Sequence, residues 1–218
     1  MPTFKCSAIL FDLDGVLMDS TPSVSRQWSL WAREHNIDPV KAIEVIHGRP
    51  TIEGVRLLAP HLDVKAEAKK IEQCEIEDTD GVVVMPSAAE LLKLLPVERW
   101  CVVTSGTRRL AMSRLKAGDL PIPKILISAD DVVNGKPNPE PYLKGAALLK
   151  MNPAECLVIE DAPAGIAAAH AAGMKVVGLM TTYPADALLG ADAIVPVLKD
   201  VIVSISEDGL TVELSESA

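Results

Sequence analysis

The feature that most constrains this chain of 218 residues is a set of short apolar runs that do not alternate with polar residues. "CSAILF" (6–11), "WCVVTS" (100–105), "KILIS" (124–128), "CLVIED" (156–161), "KVVGLM" (175–180) and "AIVP" (193–196) read as strands. A strand that is apolar on every residue is covered on both faces, which is the condition of a parallel sheet between helical layers. Helical patterns fall between the runs, near 86–95, 107–117, 139–150 and 163–172. Asn138-Pro139 fits an N-cap with proline at the first helical position, and Gly173 fits the residue just past a helix end. The alternation predicts an α/β fold, a doubly wound, Rossmann-like parallel sheet.

One interval breaks the rhythm. Between the first run and the strand at Trp100, residues 19 to about 80 look helical. Val24, Trp28 and Trp31 recur at the spacing of one helix face, which suits packing better than a sugar-stacking platform. Residues 44–60 read as helix, Gly-Pro turn, helix, and 65–76 as a charged amphipathic helix. The expected organisation is a core of residues 1–18 and 82–218 carrying a helical insert of residues 19–81. The hinges would lie near Leu17–Thr21 and Asp80–Met85. The C-terminal stretch alternates around Asp208-Gly209, a hairpin signal without evident chemistry.

Composition narrows the partners. The chain is 49% hydrophobic but only 3% aromatic, so its core is aliphatic. A net charge of −9 argues against a nucleic-acid footprint, though a local cation can still make one cleft attractive to an anion. No apolar run reaches membrane-spanning length and no leader pattern opens the chain, so no membrane partner and a cytoplasmic location are expected. Four cysteines lie far apart without a CxxC pair. They read as reduced thiols, three of them buried in strands, with neither disulfide nor zinc site.

Ligands of open α/β sheets bind beyond the carboxyl ends of the strands, so the polar residues there are the ones to collect. Strand one ends in Asp12-Leu13-Asp14-Gly15, the Trp100 strand in Thr104-Ser105-Gly106, and the Cys156 strand in Glu160-Asp161. A loop between the last two carries Lys136 in "NGKPNPEPY". Each has an ordinary reading by itself: Asp-Gly as a turn, Thr-Ser-Gly as a helix start, Lys136 as a solvated lysine, Asp161 as a helix cap. Together, in order and at strand ends, they form two or three carboxylates, a hydroxyl pair and a lysine.

That ordered set resembles the haloacid dehalogenase superfamily of aspartate-nucleophile phosphohydrolases, over essentially the whole chain to about residue 200. The matching motifs are DxDGV at Asp12–Val16, a strand-ending Thr at Thr104, Lys136 in "GKPNPEPY", and the acidic pair Glu160-Asp161 in "VIEDAPAGIAAAHAAGM". The insert matches the family's helical cap of the C1 type. "DTDGVVVMPSAAELLKLLP" and "VVTSGTRR" resemble its small sugar- and polyol-phosphate phosphatases. The resemblance implies that Asp12 attacks phosphorus to form an aspartyl-phosphate and that Asp14 is the general acid and base. It further implies that Thr104, Ser105 and Gly106 contact the phosphoryl group and that Lys136 supplies positive charge. Mg²⁺ would be held by Asp12, the backbone carbonyl of Asp14 and Asp161, with Glu160 as an indirect partner.

Substrate choice is expected in the cap turn "HGRPT", where Arg49 and His47 could reach a substrate or simply lie in solvent. The implied partner is a small phosphorylated metabolite, and a moving cap suits a monomer. β-Phosphoglucomutase shares the four motifs but has Thr and, four residues later, His after the first of them. This chain has Ser20 and Val24 at those places, which favours a phosphatase. Dehalogenase and phosphonatase chemistry fit less well, since Asp14 suits an alkoxide leaving group and Lys41 lacks a matching context. A non-catalytic phosphate-ligand binder on the same fold stays open. A receiver domain places its acidic cluster in another order.

Overall fold

The computed structural model describes residues 2–46, 49–207 and 209–215. The chain runs β1 (Thr3–Cys6), β2 (Ala8–Phe11), β3 (Met18–Asp19), α1 (Thr21–Glu34), α2 (Pro39–Ile46), α3 (Thr51–Leu58), α4 (Val64–Glu77), β4 (Val83–Val84) and α5 (Ala88–Leu94). It continues through β5 (Trp100–Val103), α6 (Arg108–Ala117), β6 (Leu126–Ile127), α7 (Glu140–Leu149), β7 (Cys156–Glu160), α8 (Pro163–Ala171), β8 (Lys175–Leu179), β9 (Ala193–Val195), β10 (Val201–Ser206) and β11 (Gly209–Leu214).

Six strands form a parallel sheet in the order β6-β5-β2-β7-β8-β9. The apolar runs explain it: every residue of β2 is buried, because successive side chains enter opposite layers. Ile9 and Phe11 join the layer holding α5 and α6, while Ala8 and Leu10 join the one holding α7 and α8. From β2 the chain builds outward on one side through β5 and β6, then returns to build β7, β8 and β9 on the other. The order reverses at β2, so the carboxyl ends of β5, β2 and β7 form the crevice of a doubly wound sheet.

The first apolar run is not one strand. It breaks at Ser7, whose N–H bonds Glu155 O at 2.7 Å, and β1 leaves the parallel sheet to pair antiparallel with β11. With the β10–β11 hairpin it makes a separate three-stranded sheet whose apolar face closes one core layer. Of the turn signal between those strands, Asp208 lies outside the described residues. The helix expected from Pro139 starts one residue later: Pro139 itself precedes it, and Asn138 Oδ1 accepts the Glu140 N–H at 3.0 Å.

The four helices α1–α4 leave after β3 and return through β4, and they enclose a core of their own. Trp28 and Trp31 meet edge to face at 5.4 Å between ring centroids within it, so the tryptophan stripe is packing. The entry and exit strands pair antiparallel, Met18 with Val84 and Asp19 with Val83. All four cysteines are unpaired thiols, and burial pushes those of Cys6, Cys101 and Cys156 up. No helix among the described residues is long and apolar enough to cross a membrane.

Candidate active site

Phe11 is the last ladder residue of β2, and the chain leaves the sheet at Asp12, whose N–H bonds Ile159 O at 3.0 Å. A tight loop follows, closed by Gly15 N–H to Met18 O at 2.7 Å. Gly15 has φ +82°, and a Cβ there would fall 2.0 Å from Asp161 Oδ2. Glycine is therefore required twice over, by the backbone and by the carboxylate that crosses it.

The first of two charged chains in the cleft runs Asp12–Lys136–Glu160. The Lys136 ammonium donates to Asp12 Oδ1 at 2.5 Å, to Glu160 Oε1 at 2.7 Å and to Val103 O at 3.0 Å. Those are the three donors a lysine has. The group is 4% exposed and also lies 4.9 Å from the centre of the Tyr142 ring. Burial alone would lower its pKa, but Asp12 and Glu160 outweigh burial and hold it well above the ordinary value. Lys136 is thus a fixed positive charge.

Glu160 explains how that charge is held. Its Oε1 accepts from Lys136 and from the Tyr142 hydroxyl, the latter at 3.0 Å. Its Oε2 accepts the N–H groups of Asp161 and Ala162 at 2.8 and 2.9 Å. Burial pushes its pKa up, and Lys136 with those N–H groups more than reverses the shift. Both Glu160 oxygens accept from protein groups, and the carboxylate anchors Lys136. The start of α8 grips it closely, since a Cβ on Gly165 would lie 1.6 Å from its Oε1.

The second chain runs Asp14–Arg114–Glu75. Ser20 Oγ donates to Asp14 Oδ1 at 2.7 Å. Arg114, on α6, donates from Nη1 to Asp14 Oδ2 at 2.6 Å and from Nη2 to Glu75 Oε2 at 2.8 Å. Glu75 lies on α4 of the insert, so this chain joins the two parts of the molecule. Burial pushes the Glu75 carboxyl up to about 7 against the pull of Arg114, with Asp14 and Glu72 adding to the rise.

Both chains open into one cleft with about 820 Å³ of space, part of it solvent. The cleft is lined by Asp12, Asp14, Thr104, Ser105, Gly106, Lys136, Glu160 and Asp161 from the core, and by Arg49, Thr51, Val24 and Trp28 from the insert. Thr104 Oγ1 accepts the Gly106 N–H at 3.0 Å, so in this state that amide is turned to the threonine and its hydroxyl hydrogen remains to be given. Arg49 is at the cleft but pairs with Glu53 at 2.7 Å one helical turn away. His47 lies outside the described residues.

Asp161 is buried beside Asp12 and Glu160, and burial first, then those two carboxylates, push its pKa well above the ordinary value. Burial likewise pushes Asp12 up to about 7, against Lys136 and with help from Glu160 and Asp14. Three buried carboxylates share Lys136, and that imbalance suits a further cation. Among the described residues no three acidic, His or Cys side chains converge as a ready-made metal cage. The donor set on offer is two carboxylates, Asp12 and Asp161, beside backbone oxygens. It fits a hard cation that binds few protein oxygens and keeps its waters.

The model of the haloacid dehalogenase-like hydrolases matches residues 6–173. The chain belongs to that family. A curated relative, hexitol phosphatase A of Escherichia coli, is 38% identical over 210 residues, covering 94% of this chain and 97% of its own length. Glycerol-1-phosphate phosphohydrolase 2 of Saccharomyces cerevisiae is 37% identical over 207 residues, covering 88% and 83%. A solved hydrolase from Pseudomonas syringae superposes with a TM-score of 0.79 at 31% identity over 88% of this chain and 94% of that one. This haloacid dehalogenase-like hydrolase is an enzyme, and like its relatives a phosphatase.

The motifs did not point to Arg114, Glu75, Tyr142 or Thr182, which lines the cleft and hydrogen-bonds Asp161. A signal existed for two of them. Arg114 falls on the buried face of α6 with Leu110, Ala111 and Leu115, and Glu75 on that of α4 with Ala68 and Ile71. A charge inside an apolar stripe is buried only with a partner.

Proposed function

We propose that this phosphatase hydrolyses a small sugar or polyol phosphate with Mg²⁺, through an aspartyl-phosphate on Asp12. The observation that carries the reading is the Lys136 ammonium, held by Glu160 and Val103 O against Asp12 Oδ1. A carboxylate can approach a phosphate dianion only where fixed positive charge waits for the transferring group. Lys136 occupies Oδ1, which leaves Oδ2 to attack phosphorus. Asp14, two residues on, gives its proton to the leaving alkoxide as the P–O bond breaks. It then takes a proton from the water that hydrolyses the intermediate. Thr104 donates its hydroxyl to a phosphoryl oxygen. Asp12 and Asp161 would hold Mg²⁺, which would supply further positive charge to the phosphoryl oxygens.

The insert gives the mouth of the cleft a mixed lining, Thr51 and Arg49 beside Val24, Trp28 and Ile46. Such a lining, apolar walls with a few polar groups, suits a short hydroxylated chain or a single sugar. The named substrates of the two curated relatives support that class. Ser20 on Asp14, with Val24 where a mutase has histidine, supports hydrolysis over transfer to a second sugar. The unpaired, buried cysteines suit a reducing cytoplasm.

A panel of hexitol phosphates, glycerol phosphate, 2-deoxyglucose 6-phosphate and β-glucose 1-phosphate, each with Mg²⁺, tests the substrate class by phosphate release. Isomerisation of β-glucose 1-phosphate outrunning phosphate release would replace the phosphatase with a mutase. Asp12→Asn should lower turnover by about 10³-fold or more while the protein stays folded. Turnover that survives this change, or survives EDTA, would sink the nucleophile or the metal respectively.

A further inference from the structure

Nothing in the scheme above uses Arg114 or Glu75, yet both are buried and both line the cleft. Their placement is specific. Arg114 is on a core helix and Glu75 on an insert helix, and the guanidinium fork divides between Asp14 and Glu75. The same two helices meet again where the Thr107 hydroxyl donates to Glu72 Oε2 at 3.2 Å, and where Arg109 bonds Gln73. Arg114 therefore has its full set of contacts only with the insert docked on the core.

Asp14 has the more demanding task in a two-step hydrolysis. In the first step it gives up a proton. In the second it must present a correctly turned carboxylate to a water molecule. Two donors fix that carboxylate here, Ser20 on Oδ1 and Arg114 on Oδ2. A planar fork holds one carboxylate with one nitrogen and is anchored through another in a fixed geometry, whereas an ammonium bridges two carboxylates from a single, rotatable point. Glu75 supplies the anchor, so the guanidinium keeps a counter-ion and its place while Asp14 carries a proton.

We propose that Arg114, anchored by Glu75, is a positioning residue for the second half-reaction, turning Asp14 toward the water that hydrolyses the phosphorylated enzyme. This rests on the aspartyl-phosphate reading. In that step the water oxygen bonds to phosphorus, the bond from phosphorus to Asp12 breaks, and the water proton passes to Asp14. Asp12 leaves as a carboxylate and the products are inorganic phosphate and free enzyme. The guanidinium touches neither water nor phosphate; it acts through Asp14.

Aryl phosphates isolate the step, because their leaving group departs without needing a proton and phosphorylation becomes fast. With Mg²⁺ present, Arg114→Met should show a burst of phenol near one equivalent per enzyme, followed by slow turnover. kcat and KM should fall together by about tenfold or more with kcat/KM held. Arg114→Lys should recover part of kcat. The double variant Arg114→Met, Glu75→Gln should behave like Arg114→Met, and it removes the buried pair at once so that folding is retained. A fall in kcat/KM without a burst would overturn the proposal and make Arg114 a binding or folding residue. An unchanged kcat would overturn it too. Wild-type enzyme that releases phosphate from no substrate, and traps no phosphoryl group on Asp12, would overturn the function reading and this inference with it.

Discussion

The cleft contains the same device twice. Asp12–Lys136–Glu160 and Asp14–Arg114–Glu75 are each a carboxylate lining the cleft, a buried cation and a second carboxylate paired with it. They differ in how they are built. The first belongs wholly to the core and uses a point charge with all its donors engaged. The second is divided between core and insert and uses a fork. The first carboxylate of each also differs, since the Asp12 side chain is 10% exposed and that of Asp14 29%. In the proposed mechanism a nucleophile must be held still while a proton carrier must change partners, and the difference between the two chains suits those proposed roles.

Removing each cation should separate them. Lys136→Met leaves Glu160 buried among donors with no cation, and the expected loss in urea unfolding is about 3–5 kcal/mol, together with activity. Arg114→Met should lose only about 1–3 kcal/mol, because Asp14 is partly solvated and the insert can shift to wet Glu75. Equal losses would show that the second chain is as rigid as the first.

A smaller effect concerns pH. Burial raises Glu75 from 4.5 to about 7, so below the lower value its proton contributes stability in full. That contribution fades as pH rises through the upper value, since the unfolded chain releases the proton earlier. Wild type should therefore lose stability relative to Glu75→Gln between those limits, by a few kcal/mol at most. Shifts on Asp12 and Asp161 are common to both proteins and cancel in the difference. Parallel unfolding curves across that range would mean that Glu75 titrates normally.

The least change belongs to Arg49, outside both chains. Its pair with Glu53 is exposed, so Arg49→Ala should alter stability by less than about 0.5 kcal/mol. It should raise KM more than it lowers kcat, and the reverse pattern would move Arg49 from the mouth of the cleft to its chemistry.

The core chain was legible in the sequence because each member stands where an apolar run stops or in the loop between two such runs. Strand ends are visible in one dimension, and the doubly wound order brings them together. The second chain was half legible. Asp14 stands two residues from Asp12, but Arg114 and Glu75 lie inside amphipathic helices, where charges ordinarily face water. The clue was the interrupted stripe, and which carboxylate met which cation depended on how α4 docks on α6. The break at Ser7 was hidden for a similar reason: residues on both sides of it are apolar, and only the pairing of β1 with β11 divides them. Glu160 was legible as a strand-end acid, but its partners (the Lys136 ammonium, the Tyr142 hydroxyl and two backbone N–H groups) depend on how the chain folds around it.

The chain passes between core and insert twice, and the two passages are hydrogen-bonded to each other as β3 and β4. A single strand would let the insert swivel, whereas a paired ribbon tilts far more easily than it twists. The end of α6 is pressed against that ribbon, where a Cβ on Gly118 would lie 2.6 Å from Val84 and 2.9 Å from Met18. Two paired connections of this kind tie the insert to the core more tightly than one strand would, on the side where α4 meets α6 and Glu75 meets the Arg114 guanidinium.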